Sequence, residues 1–265
     1  MGVYNVKIVD YPGSKGSTKI VKYSKPVVYG YKKGDLTPEE KEEKAALYAL
    51  RKENQSAEDA EKAARHSMQV SLNRTKNTIY DLAKSNNWEW FLTFTFDPKR
   101  YDNTDYDVVT KLFKRFIDRI RKSDAPSLVY LVVPELHADG KKWHLHGLLS
   151  NTQWMEFRNS GCKGSDGETI YNLKNWTYGF STATQIKDPV RASAYITKYI
   201  TKDVVLHTKN KRRYFASKNI SRPQVTKINS PNSLIDIMKT YEPDFVKSVS
   251  VPAAGRKITY MEIDD

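Results

Sequence analysis

The order of hydrophobic and polar positions divides the chain into stretches of different character. Residues 1–36 contain short alternating runs, which predict weak strands or an extended arm. Residues 37–85 are charged and predict helices, with Thr37 as N-cap, Pro38 at the first helical position and a break near residues 54–56. Nothing in this first third indicates a catalytic residue.

Strand and helix periods then alternate from Trp88 onward. A helix over 106–122 is expected to bury one apolar stripe, and a helix over 188–202 begins at Asp188 with Pro189 at its first position. Residues 151–174 predict a loop or short helix, and the last sixty residues give no assignable pattern. The predicted strands are residues 90–96, 128–135, 143–150 and 179–187.

These elements follow one another in the order β-α-β-β-insert-β-α. That order predicts an α+β fold with a ferredoxin-like or RRM-like core, in which a mainly antiparallel sheet carries helices on one face. The predicted division is an N-terminal arm and charged helical region at 1–86, a core at 87–205 and a basic C-terminal extension at 206–265.

Charge and cysteine content narrow the functional classes. The net charge of +13 favours a polyanionic partner, with nucleic acid the leading one. The single cysteine, Cys162, excludes an internal disulfide and a cysteine-ligated metal site and fits a reducing cytoplasm. The longest apolar stretch, residues 128–133, is too short to span a bilayer, so no membrane partner is expected.

A candidate metal site lies in the predicted hairpin. His144 and His146 are two apart on a strand and therefore point to one face, and Glu135 ends the partner strand. Two imidazoles and a carboxylate suit Mg²⁺ or Mn²⁺, with His137 as an alternative or fourth ligand. The alternative is that the histidines line a core or a surface by chance.

A candidate nucleophile site lies in the last predicted helix. Tyr195 and Tyr199 are four apart and share a helix face, with Lys198 and Lys202 on neighbouring turns and Arg191 before them. A phenol has a pKa near ~10, so a nucleophilic tyrosine needs positive charge nearby. Tyrosines at this spacing are more often core residues, and the cations could equally neutralise phosphates.

Taken in order, four segments resemble the HUH endonucleases, and among them the two-tyrosine rolling-circle replication initiators of phages and plasmid-like elements. The resemblance covers roughly residues 88–203. It is carried by the strand Phe91-Leu-Thr-Phe-Thr-Phe96, by Glu135, by Trp143-His-Leu-His-Gly147 and by Tyr195-Ile-Thr-Lys-Tyr-Ile-Thr-Lys202.

The resemblance implies a DNA-nicking enzyme that forms a 5′-phosphotyrosyl intermediate and later rejoins the strand. The implied ligands are His144, His146 and Glu135, and the implied catalytic residues are Tyr195, Tyr199, Lys198 and Lys202, with the order of the tyrosines open. The implied substrate is single-stranded DNA or an origin hairpin. A host helicase is an implied partner because no Walker A loop is found. A host polymerase is implied because the free 3′-hydroxyl would prime synthesis.

Two other functions remain open at this point. A relaxase or single-strand transposase would share the chemistry, although such proteins usually arrange the tyrosine and third ligand differently. A non-catalytic RRM-like binding protein would leave Glu135 and the doubled Tyr-x-x-Lys unexplained. The aromatic candidates for base stacking are Trp143, Trp154, Trp176 and Tyr178. A bacterial host cytoplasm is the expected location, with a mobile element or phage as the source.

Overall fold

The computed structural model describes residues 2–13, 17–30, 37–123, 126–252 and 255–264. It is an α+β structure with two antiparallel sheets and six helices over these residues. The chain forms two compact units, one of Met1–Asp10, Lys15–Ser67 and Gln224–Asp265, the other of Tyr11–Ser14 and Met68–Pro223. The division at 1–86, 87–205 and 206–265 follows chain order and stays a prediction.

The first unit contains a five-stranded sheet made from both ends of the chain. Its strands are β1 (Gly2–Asp10), β2 (Thr18–Tyr29), β10 (Gln224–Ile228), β11 (Phe245–Val251) and β12 (Arg256–Ile263). They run antiparallel in the order β10-β1-β2-β12-β11. The weak strands predicted in residues 1–36 are therefore confirmed, and the C-terminal residues that gave no pattern supply their partners.

Helices α1 and α6 of this unit both begin at capping boxes. Helix α1 (Pro38–Glu53) begins at Thr37, whose hydroxyl accepts from the Glu40 N–H while Glu40 accepts from the Thr37 N–H. Helix α2 (Ala57–Lys84) follows after the predicted break. Helix α6 (Leu234–Tyr241) places Ile237 in a small core with Val6, Ile20 and Met261.

The second unit contains a seven-stranded antiparallel sheet in the order β6-β7-β8-β3-β5-β4-β9. The strands are β3 (Trp90–Phe94), β4 (Val129–Leu136), β5 (Trp143–Ser150), β6 (Phe157–Lys163), β7 (Thr169–Leu173), β8 (Ser181–Gln185) and β9 (Phe215–Ala216). The expected β-α-β-β-insert-β-α order is confirmed for this sheet.

Helix α3 (Tyr106–Ser123) closes one face of this sheet. Its predicted stripe is buried, with Phe113 and Phe116 packing against Phe94 of β3 at ring-centroid distances of 5.8 Å each. The prediction that helices lie on one face is wrong, because Tyr195 of α4 (Pro189–Thr197) lies against Phe91. Phe91 and Phe94 are three residues apart on a strand and so face opposite sides. Tyr199 follows the end of α4, so the two tyrosines do not share one helix as the spacing predicted.

Two local predictions differ from the structure. Residues 151–174 contain the β6–β7 hairpin instead of a loop or short helix, because Phe157 stacks on Trp90 with ring centroids 3.9 Å apart. The helix from Asp188 ends at Thr197 and not near residue 202, and α5 (Lys202–His207) begins after Thr201. The Thr201 hydroxyl caps α5, and threonine side chains compete with helical backbone bonds in this way.

Candidate functional site

The candidate ligands lie on one face of the second sheet because of the strand register. Glu135 of β4 is opposite His144 of β5, and His146 lies between Val133 of β4 and Thr93 of β3. Residues two apart on a strand share a face, so Glu135, His144 and His146 lie on the side away from α3. Six residues connect the two strands, where the sequence favoured a three-residue turn, and the strand register still places Glu135 within hydrogen-bonding distance of His146.

His146 is held by a hydrogen bond at each ring nitrogen. Its Nε2 lies 2.5 Å from Glu135 Oε2, and its Nδ1 lies 3.0 Å from Thr93 Oγ1. If the threonine hydroxyl donates to Nδ1, then Nε2–H donates to the carboxylate, which suits a neutral imidazole. Burial lowers the pKa of His146, and the carboxylate only partly opposes this effect. The ring is therefore fixed in orientation and uncharged near neutral pH.

Glu135 and His144 complete the candidate donor set. Burial acts to raise the pKa of Glu135, but the hydrogen bond from His146 and the nearby imidazoles outweigh it, so the carboxyl pKa is lowered. Burial lowers the pKa of His144, whose ring centroid lies 5.3 Å from that of His137. His137, which directly follows the end of β4, thus lies beside His144.

The donor chemistry fits a hard divalent cation, although the side chains are not arranged around one. Two neutral imidazoles and an ionised carboxylate share a face; the carboxylate suits Mn²⁺ or Mg²⁺, and the imidazoles suit divalent transition metals more generally. Over the described part of the chain, however, no three His, Cys, Asp or Glu side chains are already placed to hold a metal ion. The Nε2 atom of His146 is occupied by Glu135, so binding requires these two side chains to separate.

Tyr199 lies directly on the candidate ligand. Its ring stacks on the imidazole of His146, with centroids 3.6 Å apart and planes at 13°. Tyr199 is 8% exposed, and it also lies against Phe91 at 6.0 Å. Burial, together with the hydrogen bond to Tyr195, raises the pKa of Tyr199 well above its ordinary value. This phenol is therefore strongly held in its protonated form.

Tyr195 differs from Tyr199 in exposure and in charge environment. It is 45% exposed, and the Lys198 Nζ lies 3.3 Å from its ring centroid. Burial acts to raise the pKa of Tyr195, but hydrogen bonds with Lys198 and Tyr199 and the charge of Lys198 outweigh it, so the pKa is lowered. The two rings contact edge to face at 5.6 Å.

The cations predicted around the tyrosines divide into two groups. Lys198 is the C-cap of α4 and also lies 5.0 Å from the Tyr199 ring centroid. Arg191 is exposed and pairs with Asp188 at 3.3 Å, and Lys202 is exposed at the first position of α5. The structure thus brings Lys198 to both phenols, and it places Lys202 in the next helix.

The predicted base-stacking aromatics divide by burial. Trp143 and Trp176 are buried in the core, where the indole of Trp176 donates to the Thr95 carbonyl. Tyr178 is half-buried and packs edge to face on Trp176 and Tyr101. Trp154 is 66% exposed and keeps its ring available to solvent.

Sequence reasoning missed three side chains on the face that carries the candidate site. Thr93 orients His146, and Phe91 supports both tyrosine rings. Phe180 is 58% exposed and precedes Ser181, which pairs with Phe94 in the neighbouring strand. The alternating run Phe91–Phe96 carried the signal for the first two, since residues 91, 93 and 95 share a face, but the opposing strand could not be known.

Of three comparisons with known proteins, one gave a match. A search of curated proteins and a search of solved structures each gave no significant match. No helix over the described ranges is long and apolar enough to cross a membrane. A family model matches somewhat less than half of the chain, and the matched segment contains both histidines, Glu135 and both tyrosines. Residues 89–204 are similar to the replication-associated protein ORF2/G2P family, and this similarity supports a role in replication initiation.

Proposed function

We propose that this protein is an HUH-type replication initiator that nicks single-stranded DNA through a tyrosine nucleophile. The observation that carries the proposal is the continuous contact from Lys198 through Tyr195 and Tyr199 to His146. An exposed phenol with a lowered pKa lies beside a candidate metal ligand on a chain of net charge +13. The similarity of residues 89–204 to a replication-associated family supports the same activity.

Tyr195 is the proposed first nucleophile. Its phenol is accessible, and the ammonium group of Lys198 stabilises the phenolate form. The Tyr195 oxygen bonds to phosphorus as the bond from phosphorus to the 3′-oxygen breaks. The phenol loses one proton and the 3′-oxygen gains one, which leaves a 5′-phosphotyrosine and a free 3′-hydroxyl.

Tyr199 is the proposed second nucleophile. It is buried against His146 and its pKa is raised, so it is poorly suited to the first cut. Once Tyr195 is esterified, it can no longer ionise, so the negative charge that raises the pKa of Tyr199 no longer forms beside it. Tyr199 would then act when its ring leaves His146, and reversal of the same transesterification would rejoin the strand.

Glu135, His144 and His146 would hold Mg²⁺ or Mn²⁺. When bound, the ion would supply Lewis-acid polarisation of the scissile phosphate. Thr93 fixes the His146 ring, and such outer partners of ligating histidines set ring orientation.

Phe180 and Trp154 are exposed aromatic rings for unpaired bases of an origin hairpin. Host helicase and polymerase would unwind the duplex and extend the 3′-hydroxyl.

The test is incubation with labelled pools of single-stranded and hairpin DNA plus Mn²⁺, followed by denaturing electrophoresis. We expect a protein–DNA band that survives denaturant, requires metal and is lost in the double variant Tyr195→Phe/Tyr199→Phe and in His146→Ala. Tyr171→Phe is the matched control, because it removes one phenol from the same unit and should keep the band. Salt-sensitive binding without any covalent band would instead indicate a binding module.

A further inference from the structure

A groove of about 550 Å³ lies on the second unit, away from the candidate cleavage site. Cationic side chains line it from two parts of the chain. Helix α3 contributes Lys111, Lys114 and Arg121, and the segment after α5 contributes Arg212 and Lys218. The carboxylates at the groove are Asp107 and Asp118, and Asp107 pairs with Lys211 at 2.7 Å. The groove is therefore a local concentration of positive charge.

Between these cations the groove has an aromatic floor. Phe113, Tyr130 and Phe215 line it, with Phe113 edge to face on Tyr130 at 5.9 Å and tilted toward Phe215 at 5.7 Å. Tyr130 and Phe215 are half-buried, so part of each ring faces the groove. Alternating cations and partly exposed rings suit phosphates and unpaired bases, respectively.

The groove and the candidate cleavage site occupy opposite faces of the same strand. Tyr130 and Glu135 both belong to β4, but they are five residues apart and so point to opposite sides. That separation is about 17 Å along the strand. A single bound nucleotide cannot contact both, and the charge at the groove is not explained by the nicking chemistry.

The spread of the cations argues against one small anion as the occupant. Lys114 and Arg121 are seven residues apart on α3, which is about 10.5 Å along the helix axis. Successive phosphates of a polynucleotide can meet both side chains. Duplex DNA would offer only its backbone to the aromatic floor, because its bases are stacked on each other.

We propose that this groove is a second binding site for single-stranded DNA, independent of the metal and the tyrosines. It would hold a stretch of the strand that is not attached covalently. The phosphates would contact Lys111, Lys114 and Arg121, and unpaired bases would lie on the floor formed with Tyr130. This site extends the proposed function, but its binding does not depend on cleavage.

The test is fluorescence anisotropy of a 20-nucleotide oligothymidine with the full chain in EDTA, which prevents metal-dependent cleavage. The variant is Lys114→Ala/Arg121→Ala, and the matched control is Arg115→Ala/Lys122→Ala. Both pairs are seven residues apart on α3 and both remove two charges, but Arg115 and Lys122 do not line the groove. We expect about tenfold weaker binding for the groove variant and a salt slope reduced by roughly 1.4.

A second measurement uses the unaltered protein. Bound oligothymidine should protect Lys111, Lys114 and Lys218 from acetylation, as read by mass spectrometry, while Lys122 stays reactive. The proposal is overturned if the two double variants weaken binding equally, if the groove lysines are not protected, or if a duplex of the same length binds the groove more tightly. Cleavage by the groove variant would be scored separately, so failure of one proposal does not decide the other.

Discussion

The two faces of the seven-stranded sheet are made from the same two central strands, β3 and β5, yet they differ in chemistry. Under α3 the strands present Leu92, Phe94 and Leu145, which are fully buried and apolar. On the other face they present Thr93 and His146, which are joined by a hydrogen bond. Polar groups held in a buried site cost free energy unless they are paired, and such departures from an apolar core are expected at functional sites. Strand alternation alone separates the apolar face from the face that carries the candidate site.

The largest effect is expected from substituting the central polar residue. His146→Gln keeps a polar side chain but removes the imidazole that contacts Glu135, Thr93 and Tyr199. We expect Mn²⁺-dependent cleavage to fall by more than about a hundredfold, because ligand loss should exceed the usual effect of an outer-shell change. The measurement is initial rate of covalent-complex formation. Retention of more than a tenth of the rate would remove His146 from the proposed site.

The neighbouring residue on the same strand should show the opposite behaviour. Leu145→Ala leaves a cavity on the α3 side and should lower the free energy of unfolding by about 2–5 kcal/mol. Cleavage per folded molecule should change little, since Leu145 faces away from the tyrosines. His146→Gln and Leu145→Ala would be compared by urea unfolding and by the initial rate of covalent-complex formation at low temperature. If Leu145→Ala lowers the rate as much as His146→Gln, the separation is wrong.

A smaller effect is expected from the hydroxyl that orients His146. Thr93→Val removes the hydrogen bond to Nδ1 while preserving side-chain shape. Metal affinity, measured by calorimetry with Mn²⁺, should fall by about 10- to 100-fold. Thr182→Val is the control, because Thr182 lies opposite Thr93 on the same face. Equal losses in both variants would mean that Thr93 has no specific role.

The smallest expected effect is on how the free energy of unfolding depends on pH. Burial lowers the pKa of His144 and His146 below 6.5, so the unfolded chain binds protons more readily than the folded one. Stability is then fully present above about pH 6.5 and falls as the pH drops below it. The lowered pKa of Glu135 matters only nearer pH 4.5 and below.

Denaturant unfolding in EDTA between pH 8 and pH 5.5 measures this slope. The slope should be smaller in His146→Gln, whereas Leu145→Ala should lower the whole curve and leave its slope unchanged. A slope that is the same in wild type and His146→Gln would show that His146 does not contribute.

Local patterns predicted most of the second unit and the start of one helix in the first. The 3.6-residue period identified α3 and its buried stripe, Asp188 identified the start of α4, and Thr37 with Pro38 identified the start of α1. The strand period of two also placed His144 and His146 on one face. These predictions succeed because each depends on residues close together in sequence.

Features that depend on distant residues could not be predicted. Strand β1 pairs with β10, more than two hundred residues away, and nothing in either strand specifies the partner. The polar β6–β7 hairpin forms because Phe157 reaches Trp90. At the site, Tyr199 stacks on His146. This contact could not be predicted without knowing where α4 ends and where it lies over the sheet. The different environments of the two tyrosines follow from that placement.

The most direct test of the central claim is to identify which tyrosine carries DNA in the unaltered protein. Trypsin cuts after Arg191, Lys198 and Lys202, so it separates Tyr195 and Tyr199 onto different peptides. After nuclease digestion of the covalent complex, mass spectrometry should find the nucleotide on the peptide of residues 192–198, at Tyr195. A nucleotide found only on the peptide of residues 199–202, or on neither peptide, would contradict the account.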